Sequence, residues 1–78
     1  MTIQILLPTP EGEAKPRTAT LVLYRRWIKY AEIRSNDIII HYMKGDILWF
    51  STEYQSESQK ISENTFKWLQ NFIKKGHF

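Results

Sequence analysis

Apolar and polar residues follow one another along this chain in short blocks that predict a small sheet and one helix. Five blocks rich in β-branched and aromatic residues have the length and composition of strands. Residues 8–12 end the first block, because proline cannot donate to a strand ladder and glycine permits turn dihedrals. The predicted strands cover residues 3–7, 18–24, 27–33, 38–42 and 47–50.

The spacing of side chains within two of these strands predicts how their faces are covered. Residues 38–40 are consecutive isoleucines, and this lack of alternation indicates a strand whose two faces are both covered. In the strand before it, the period of two places Ile28 and Tyr30 on one face and Lys29 on the other. The polar residues "RSND" between the two strands are typical of a turn.

A hairpin is predicted at "MKGD", where Gly45 supplies the positive φ of the turn. We expect Trp49 to meet Tyr42 across the resulting pair of strands. The serine-rich residues 51–62 that follow are compatible with a loop or with an edge strand around Tyr54. The sequence alone does not decide between these two structures.

Residues 62–76 predict an amphipathic helix with a defined start and end. Ser62 is suited to cap its first turn, and Gly76 is suited to end it. Trp68 lies one turn before Phe72 and is expected to stack on it. The residues that recur at helical spacing on the apolar face are Phe66, Leu69, Phe72 and Ile73. The elements together predict a mostly β domain with one C-terminal helix, an α+β fold with a small antiparallel sheet of about five strands.

Length and composition limit the class of protein. The 78 residues suffice for a single small domain, residues 1–78, whose folding buries roughly 60% of the surface of the unfolded chain. The 42% hydrophobic content argues against disorder. There is no cysteine, which excludes disulfides and cysteine-ligated zinc. The histidines and carboxylates are not spaced as metal ligands, so neither a metal nor a cofactor is predicted.

The first residues carry no predicted targeting or membrane segment. The stretch "MTIQILLPTPEGE" has no basic region, and its apolar run is too short for a signal peptide or a membrane span. We therefore expect a cytoplasmic protein without a membrane partner.

The sequence favours a protein that is not an enzyme, and no catalytic residue is predicted. No Ser-His-Asp arrangement can be nominated. His41 lies in a predicted strand, where a half-buried structural histidine is a commoner interpretation than a catalytic one. Glu11 and Glu13 lie in a proline-containing loop and are interpreted as solvated carboxylates rather than as a general acid/base pair.

Positive charge is concentrated in the first half of the chain. Residues 15–34 carry six of the eleven basic residues and one of the eight acids, a distribution typical of a nucleic-acid-binding surface. A basic stripe that serves solubility alone is the alternative. The adjacent Arg25 and Arg26 either bind phosphates through their guanidinium groups or protect a strand edge from aggregation.

One segment resembles a known family through the residues Ile28, Tyr30, Glu32, Ser35, Asn36, Ile40, His41 and Gly45. At this spacing the segment is similar to the core of LytTR-type DNA-binding domains, bacterial response-regulator output modules built mostly of β-strands. The stretch "ILLPTPEG" is similar to the first strand and turn of that family. The stretch "NTFKWLQNFIKKGHF" is similar to the short helix and closing aromatic residue that follow the family's hairpin.

The chain departs from the pattern of this family in two ways. Residues 14–27 and 51–60 form longer connections than the family usually has. The family also continues after its Gly-Phe pair with an Arg-x-His-x-Ser segment, which this sequence does not contain. Some of the family's DNA contacts lie in that segment.

The resemblance implies a DNA-binding site on the loop that follows the Tyr-x-Glu strand, here Arg34, Ser35 and Asn36. A strand-to-strand loop is narrow enough to enter a groove of duplex DNA, where Arg and Asn side chains pair with base edges. Further basic residues on the same side would contact phosphates. The residues predicted to do so are Arg25, Arg26 and Lys29.

Two functions follow as expectations. The first is a LytTR-like transcription-regulatory module that binds double-stranded DNA weakly as a monomer, and so acts as a homodimer or beside another regulatory protein. The alternative is a protein–protein interaction module on the same scaffold that does not bind DNA. An unpaired sheet edge and the many aromatic residues favour this alternative. Accidental similarity of an unrelated small protein is a third interpretation.

Overall fold

Over the residues that the structure describes, the fold combines one six-stranded sheet with one α-helix. The computed structural model describes residues 1–9, 12, 15 and 17–76, so the loop carboxylates Glu11 and Glu13 lie outside the described residues. The predicted mostly β fold class with a C-terminal helix is confirmed. The elements are β1 (Thr2–Leu7), β2 (Arg17–Val22), a 3₁₀ turn (Arg25–Trp27), β3 (Ile28–Ile33), β4 (Asp37–Tyr42), β5 (Ile47–Ser51), β6 (Gln59–Lys60) and α1 (Glu63–Lys74).

The shortest strand joins the two halves of the sheet. The order of the described strands is β2-β1-β6-β5-β4-β3. The pairs β1–β2, β3–β4 and β4–β5 are antiparallel. The strand β6 lies antiparallel to β1 and parallel to β5. The sixth strand arises within residues 51–62, but it lies in the interior of the sheet at Gln59–Lys60 and is not the edge strand around Tyr54 that the sequence allowed. Its pairing of Lys60 with Leu6 connects the β1–β2 hairpin to the rest of the sheet.

The connection between the two edge strands requires the sheet to curl. In a flat sheet, five inter-strand spacings of about 4.8 Å would separate β2 from β3 by roughly 24 Å. Only residues 23–27 connect these strands, and because part of this segment is a compact 3₁₀ turn, it spans at most roughly 20 Å. The two edges therefore approach each other, and the sheet wraps around its core.

The core lies between the inner face of the sheet and α1. Its buried residues are Ile3, Ile5, Leu23, Ile28, Ile38, Ile40, Phe50, Ile61, Phe66 and Leu69. The helix begins as predicted, because the Ser62 Oγ accepts a hydrogen bond of 3.1 Å from the Thr65 backbone N–H. The predicted stacking of Trp68 on Phe72 is also confirmed, with ring centres 5.6 Å apart. The three isoleucines of residues 38–40 are all buried, so both faces of β4 are covered as expected.

A β-bulge overturns the predicted faces of β3. The register with β4 shifts between Ile28 and Tyr30, so that Ile28 pairs with Tyr42 and Tyr30 pairs with His41. Ile28 consequently enters the core with 7% of its surface exposed, whereas Tyr30 lies on the outer face with 48% exposed. The expectation that Ile28 and Tyr30 share a face is wrong, because the extra residue in the bulge, Lys29, breaks the period of two.

The expected contact between Trp49 and Tyr42 is also wrong. In the register of β4 with β5, Trp49 lies opposite Ile39. Tyr42 is three residues beyond Ile39 along β4, and an odd number of residues places two side chains on opposite faces of a strand. Trp49 therefore lies on the outer face, whereas Tyr42 packs against the core.

We expect the same conservative substitution to have different effects on the two faces of the sheet. Ile40 is completely buried, and Ile40→Val removes one methylene from the core, which should lower the free energy of unfolding by about 0.5–1.5 kcal/mol. Ile47 is 58% exposed, and Ile47→Val should change this free energy by less than about 0.5 kcal/mol. Urea unfolding followed by circular dichroism measures both variants. Equal effects would contradict the assignment of the core face.

Candidate nucleic-acid interface

The 3₁₀ turn before β3 is held against the hairpin turn between β4 and β5. The Trp27 N–H donates to the Tyr24 carbonyl at 2.9 Å, which closes the 3₁₀ turn. The Trp27 carbonyl in turn accepts from the Met43 N–H at 2.8 Å. This second bond continues the β3–β4 pairing beyond the ends of both strands. The side chains of residues 24–27 and 43–46 are thereby brought to one end of the sheet.

The hairpin turn has the hydrogen bonds of a tight connection. The Tyr42 N–H donates to the Asp46 carbonyl at 2.8 Å, and the Gly45 N–H donates to the Tyr42 carbonyl at 3.0 Å. Gly45 has a φ of +95°, which confirms the predicted positive φ and is a conformation that residues with a Cβ atom rarely adopt. The turn therefore fixes the backbone of Lys44 close to the 3₁₀ turn.

Two cations from different segments lie over one exposed indole ring. The Arg26 Cζ is 5.1 Å from the centre of the Trp27 ring, and the Lys44 Nζ is 5.7 Å from it. The Arg26 Cζ also lies 5.9 Å from the Tyr24 ring centre. These distances are typical of cation–π interactions. We name this surface the Trp27 platform; it consists of Tyr24, Arg25, Arg26, Trp27 and Lys44, all of them exposed.

A cleft opens beside the indole of the platform. It has a volume of about 310 Å³ and is lined by Trp27, Tyr42, Lys44 and Asp46. Burial raises the pKa of the Tyr42 phenol above its ordinary value, so this hydroxyl stays neutral at physiological pH. Within the described residues, none of the platform's cations forms an ion pair with a carboxylate.

The structure separates the six residues predicted from the sequence into two groups. Arg25 and Arg26 lie in the 3₁₀ turn before β3, Lys29 lies near the start of this strand, and residues 34–36 follow its end. Lys29 and Arg34 are five residue steps apart along the extended chain, roughly 17 Å. The predicted residues therefore do not form one continuous surface, and the Arg34 guanidinium is at the opposite end of β3 from the platform.

Residues 34–36 form a tight turn with acidic neighbours. The Arg34 N–H donates to the Asp37 carbonyl at 2.8 Å, which closes the turn. The Arg34 Nη2 lies 3.9 Å from the Glu32 Oε2. Ser35 and Asn36 line a groove of about 300 Å³ that also contains Glu63 and Lys67 of α1. These carboxylates reduce the attraction of the turn for phosphate.

A histidine–glutamate pair occupies the outer face of the sheet between these two ends. The His41 Nε2 and the Glu32 Oε2 are 2.7 Å apart, and the Tyr30 ring stacks on the imidazole with ring centres 4.2 Å apart. The hydrogen bond with His41 holds the pKa of the Glu32 carboxyl below its ordinary value. Among the described residues, no three His, Asp or Glu side chains are grouped as metal ligands.

Sequence reasoning did not identify Tyr24, Trp27 and Lys44 as a surface. The signal was present in the hairpin register, because Ile33 pairs with Ile38 and Ile28 pairs with Tyr42. Continuing this register outwards brings the residues before Ile28 level with those after Tyr42. Lys44 would then be expected near Trp27.

The comparisons with known proteins give no relative for this chain: it matches no protein-family model, no curated protein and no solved structure. Over the described residues, no helix has both the length and the apolar character needed to cross a membrane.

The Glu32–His41 pair predicts how stability depends on pH. A carboxyl whose pKa is lower in the folded state stabilises that state above its unfolded-state pKa of about 4.3, and this contribution is lost as the pH falls through the folded-state pKa. We therefore expect the free energy of unfolding of the parent protein to fall more steeply between pH 5 and 3 than that of Glu32→Gln.

Urea unfolding at a series of pH values between these limits measures this difference. Glu57→Gln is the matched control, since Glu57 is an exposed loop residue and the substitution removes the same charge. Its profile should follow that of the parent protein. Parallel profiles for the parent and Glu32→Gln would show that the pair contributes nothing to acid sensitivity.

Proposed function

We propose that the protein is a non-enzymatic DNA-binding module that acts in transcription regulation in the cytoplasm, with the Trp27 platform as its binding surface. The observation that carries this proposal is the convergence of Arg26 and Lys44 on the exposed Trp27 ring. The resemblance of residues 28–45 to LytTR-type domains supports the same class of function. The contact surface that we propose differs from the loop which that resemblance implies.

The platform's cations are suited to phosphate because no acid neutralises them within the described part of the chain. Arg25 and Arg26 are exposed neighbours on the 3₁₀ turn, and Lys44 approaches the Trp27 ring from the hairpin. Each phosphate that a cation contacts on duplex DNA releases condensed counterions, which contributes favourably to binding at low salt. Three such contacts predict weak affinity that falls roughly 40-fold between 50 and 200 mM salt.

The carboxylates are distributed unequally between the two ends of β3, and this difference determines which end faces DNA. At the other end of β3, the carboxylates of Asp37 and Glu63 lie near the turn of residues 34–36, and Glu32 pairs with Arg34. At the platform end, Asp46 is the one carboxylate that lines the cleft among the described residues. A polyanion is therefore attracted more strongly to the platform end than to the other end, where Arg34 and Lys67 lie among carboxylates.

The first test compares two variants that lose the same charge at different places. Arg25→Ala/Arg26→Ala removes two cations from the platform, whereas Lys74→Ala/Lys75→Ala removes two exposed cations at the end of α1. We expect the platform variant to weaken binding by about tenfold or more at 50 mM salt and to lower the salt slope by about two. The helix variant should stay within about threefold of the parent.

Fluorescence anisotropy of a labelled DNA oligonucleotide at 50 and 200 mM salt measures both quantities. Arg34→Ala is a further control, because Arg34 is paired with Glu32 and lies away from the platform. Absence of binding to any DNA at 50 mM salt would refute the proposed function. Equal losses in the two double variants would show that net charge, and not the platform, determines binding.

A second candidate function is protein–protein interaction on the same scaffold. It is favoured by the outer face of the sheet, where Tyr30 and Ile47 are exposed beside His41 and Trp49. Aromatic and aliphatic side chains of this kind anchor interfaces. Charged or polar residues at the same positions would be expected on a face that only contacts water.

This candidate predicts concentration-dependent dimers in sedimentation velocity experiments. Ile47→Lys should abolish the dimer by placing a charge in the apolar interface, and Thr20→Lys, an exposed substitution on β2, should leave it intact. A protein that stays monomeric at every concentration would exclude self-association through this face.

A further inference from the structure

We propose, on the basis of the proposed function, that the cleft beside Trp27 takes one unpaired nucleobase. The platform then binds single-stranded nucleic acid in preference to duplex. In this arrangement the base stacks on the indole, and the phosphates on either side of it contact Arg25, Arg26 and Lys44.

The exposure of Trp27 is the first reason for this inference. The side chain is 44% exposed although the Arg26 and Lys44 cations lie 5.1 and 5.7 Å from its ring centre, so part of it is accessible to a ligand. Stacking of a base on an aromatic side chain, with cations following the backbone, is the general mode of single-strand binding. In a duplex each base is already stacked and paired, so its face cannot reach the indole unless the pair opens.

The size of the cleft is the second reason. Its volume of about 310 Å³ is at the lower end of the range for ligand sites, which suits one ring system and not a peptide segment or the width of a duplex. The indole of Trp27 and the phenol of Tyr42 supply aromatic surface, while Lys44 and Asp46 supply polar groups. This combination matches a flat, apolar ring with a polar edge.

Asp46 is the third reason, and it indicates which bases are favoured. A carboxylate repels phosphate, so it is unfavourable in a site that binds only the nucleic-acid backbone. A carboxylate accepts hydrogen bonds from the exocyclic amino group of cytosine or adenine. Thymine has no amino group, and its one donor, the N3–H, lies between two carbonyl oxygens that repel a carboxylate. We therefore infer that the cleft binds cytosine and adenine more tightly than thymine.

Trp68 provides a matched control for the role of Trp27. It is exposed to a similar extent, 47%, but it lies on α1 and its ring is engaged by Phe72. No cation lies over its ring within the described residues, in contrast to the two cations at Trp27. A general effect of removing an exposed tryptophan would therefore appear in both Trp68→Ala and Trp27→Ala.

The experiment measures anisotropy of a labelled oligonucleotide as a single strand and as the matching duplex at 50 mM salt. The parent protein should bind the single strand at least about fivefold more tightly. Trp27→Ala should weaken single-strand binding by roughly 5- to 150-fold and should weaken duplex binding by a smaller factor. Trp27→Phe should retain most of the single-strand affinity, and Trp68→Ala should behave as the parent.

Homopolymers test the role of Asp46 with the same readout. Oligo(dC) and oligo(dA) should bind the parent more tightly than oligo(dT), and Asp46→Asn should reduce this difference because an amide both donates and accepts. Thermal melting confirms that each variant is folded. If Trp27→Ala is unfolded, Trp27→Tyr and Trp27→Leu compare an aromatic with an aliphatic side chain at the same position.

The failure of this inference can be distinguished from failure of the proposed function. Equal affinity for single strand and duplex, together with unchanged binding by Trp27→Ala, would contradict the proposed stacking of a base on the Trp27 indole. If Arg25→Ala/Arg26→Ala still loses binding in that case, the proposed function stands. Absence of binding to single strand and duplex alike at 50 mM salt overturns both.

Discussion

The pairing of β3 with β4, extended by the bond from the Met43 N–H to the Trp27 carbonyl, is the interaction on which the proposed site depends. It brings the 3₁₀ turn and the β4–β5 hairpin turn together at one end of the sheet, although Trp27 and Lys44 are 17 residues apart in the sequence. Without it, the cations of the 3₁₀ turn and of the hairpin would not lie over a common ring. Because this bond joins backbone groups, the side chains that form the platform are free to serve a ligand.

The two ends of β3 have different chemistry, although both are turns between strands. At the platform end, cations lie beside aromatic rings and have no carboxylate partner within the described residues. At the other end, Arg34 lies next to Glu32, and the turn faces Glu63. The same residue type, arginine, is therefore suited to phosphate at one end and is partly neutralised at the other.

The local pattern of apolar and polar residues predicts the helix and the strand β4 of this fold. The features that it does not predict depend on pairing between distant segments of the chain. The helical spacing of residues 62–76 and the isoleucines of residues 38–40 are local signals, and the structure confirms what both predict. The strand Gln59–Lys60 has two residues and forms only because β1 and β5 lie on either side of it. The alternation of apolar and polar residues does not reveal the bulge at Lys29. The exposed position of Tyr30 could therefore be seen only in the structure.

The location of the bound nucleic acid tests the central claim most directly. Nuclear magnetic resonance of the ¹⁵N-labelled protein, titrated with a single-stranded oligonucleotide at low salt, reports which amide groups sense the ligand. We expect the largest shifts at residues 24–27 and 42–46 and at the Trp27 indole N–H, with little change at residues 34–36. Shifts confined to residues 34–36, or spread evenly over the protein surface, would contradict a binding site at the platform.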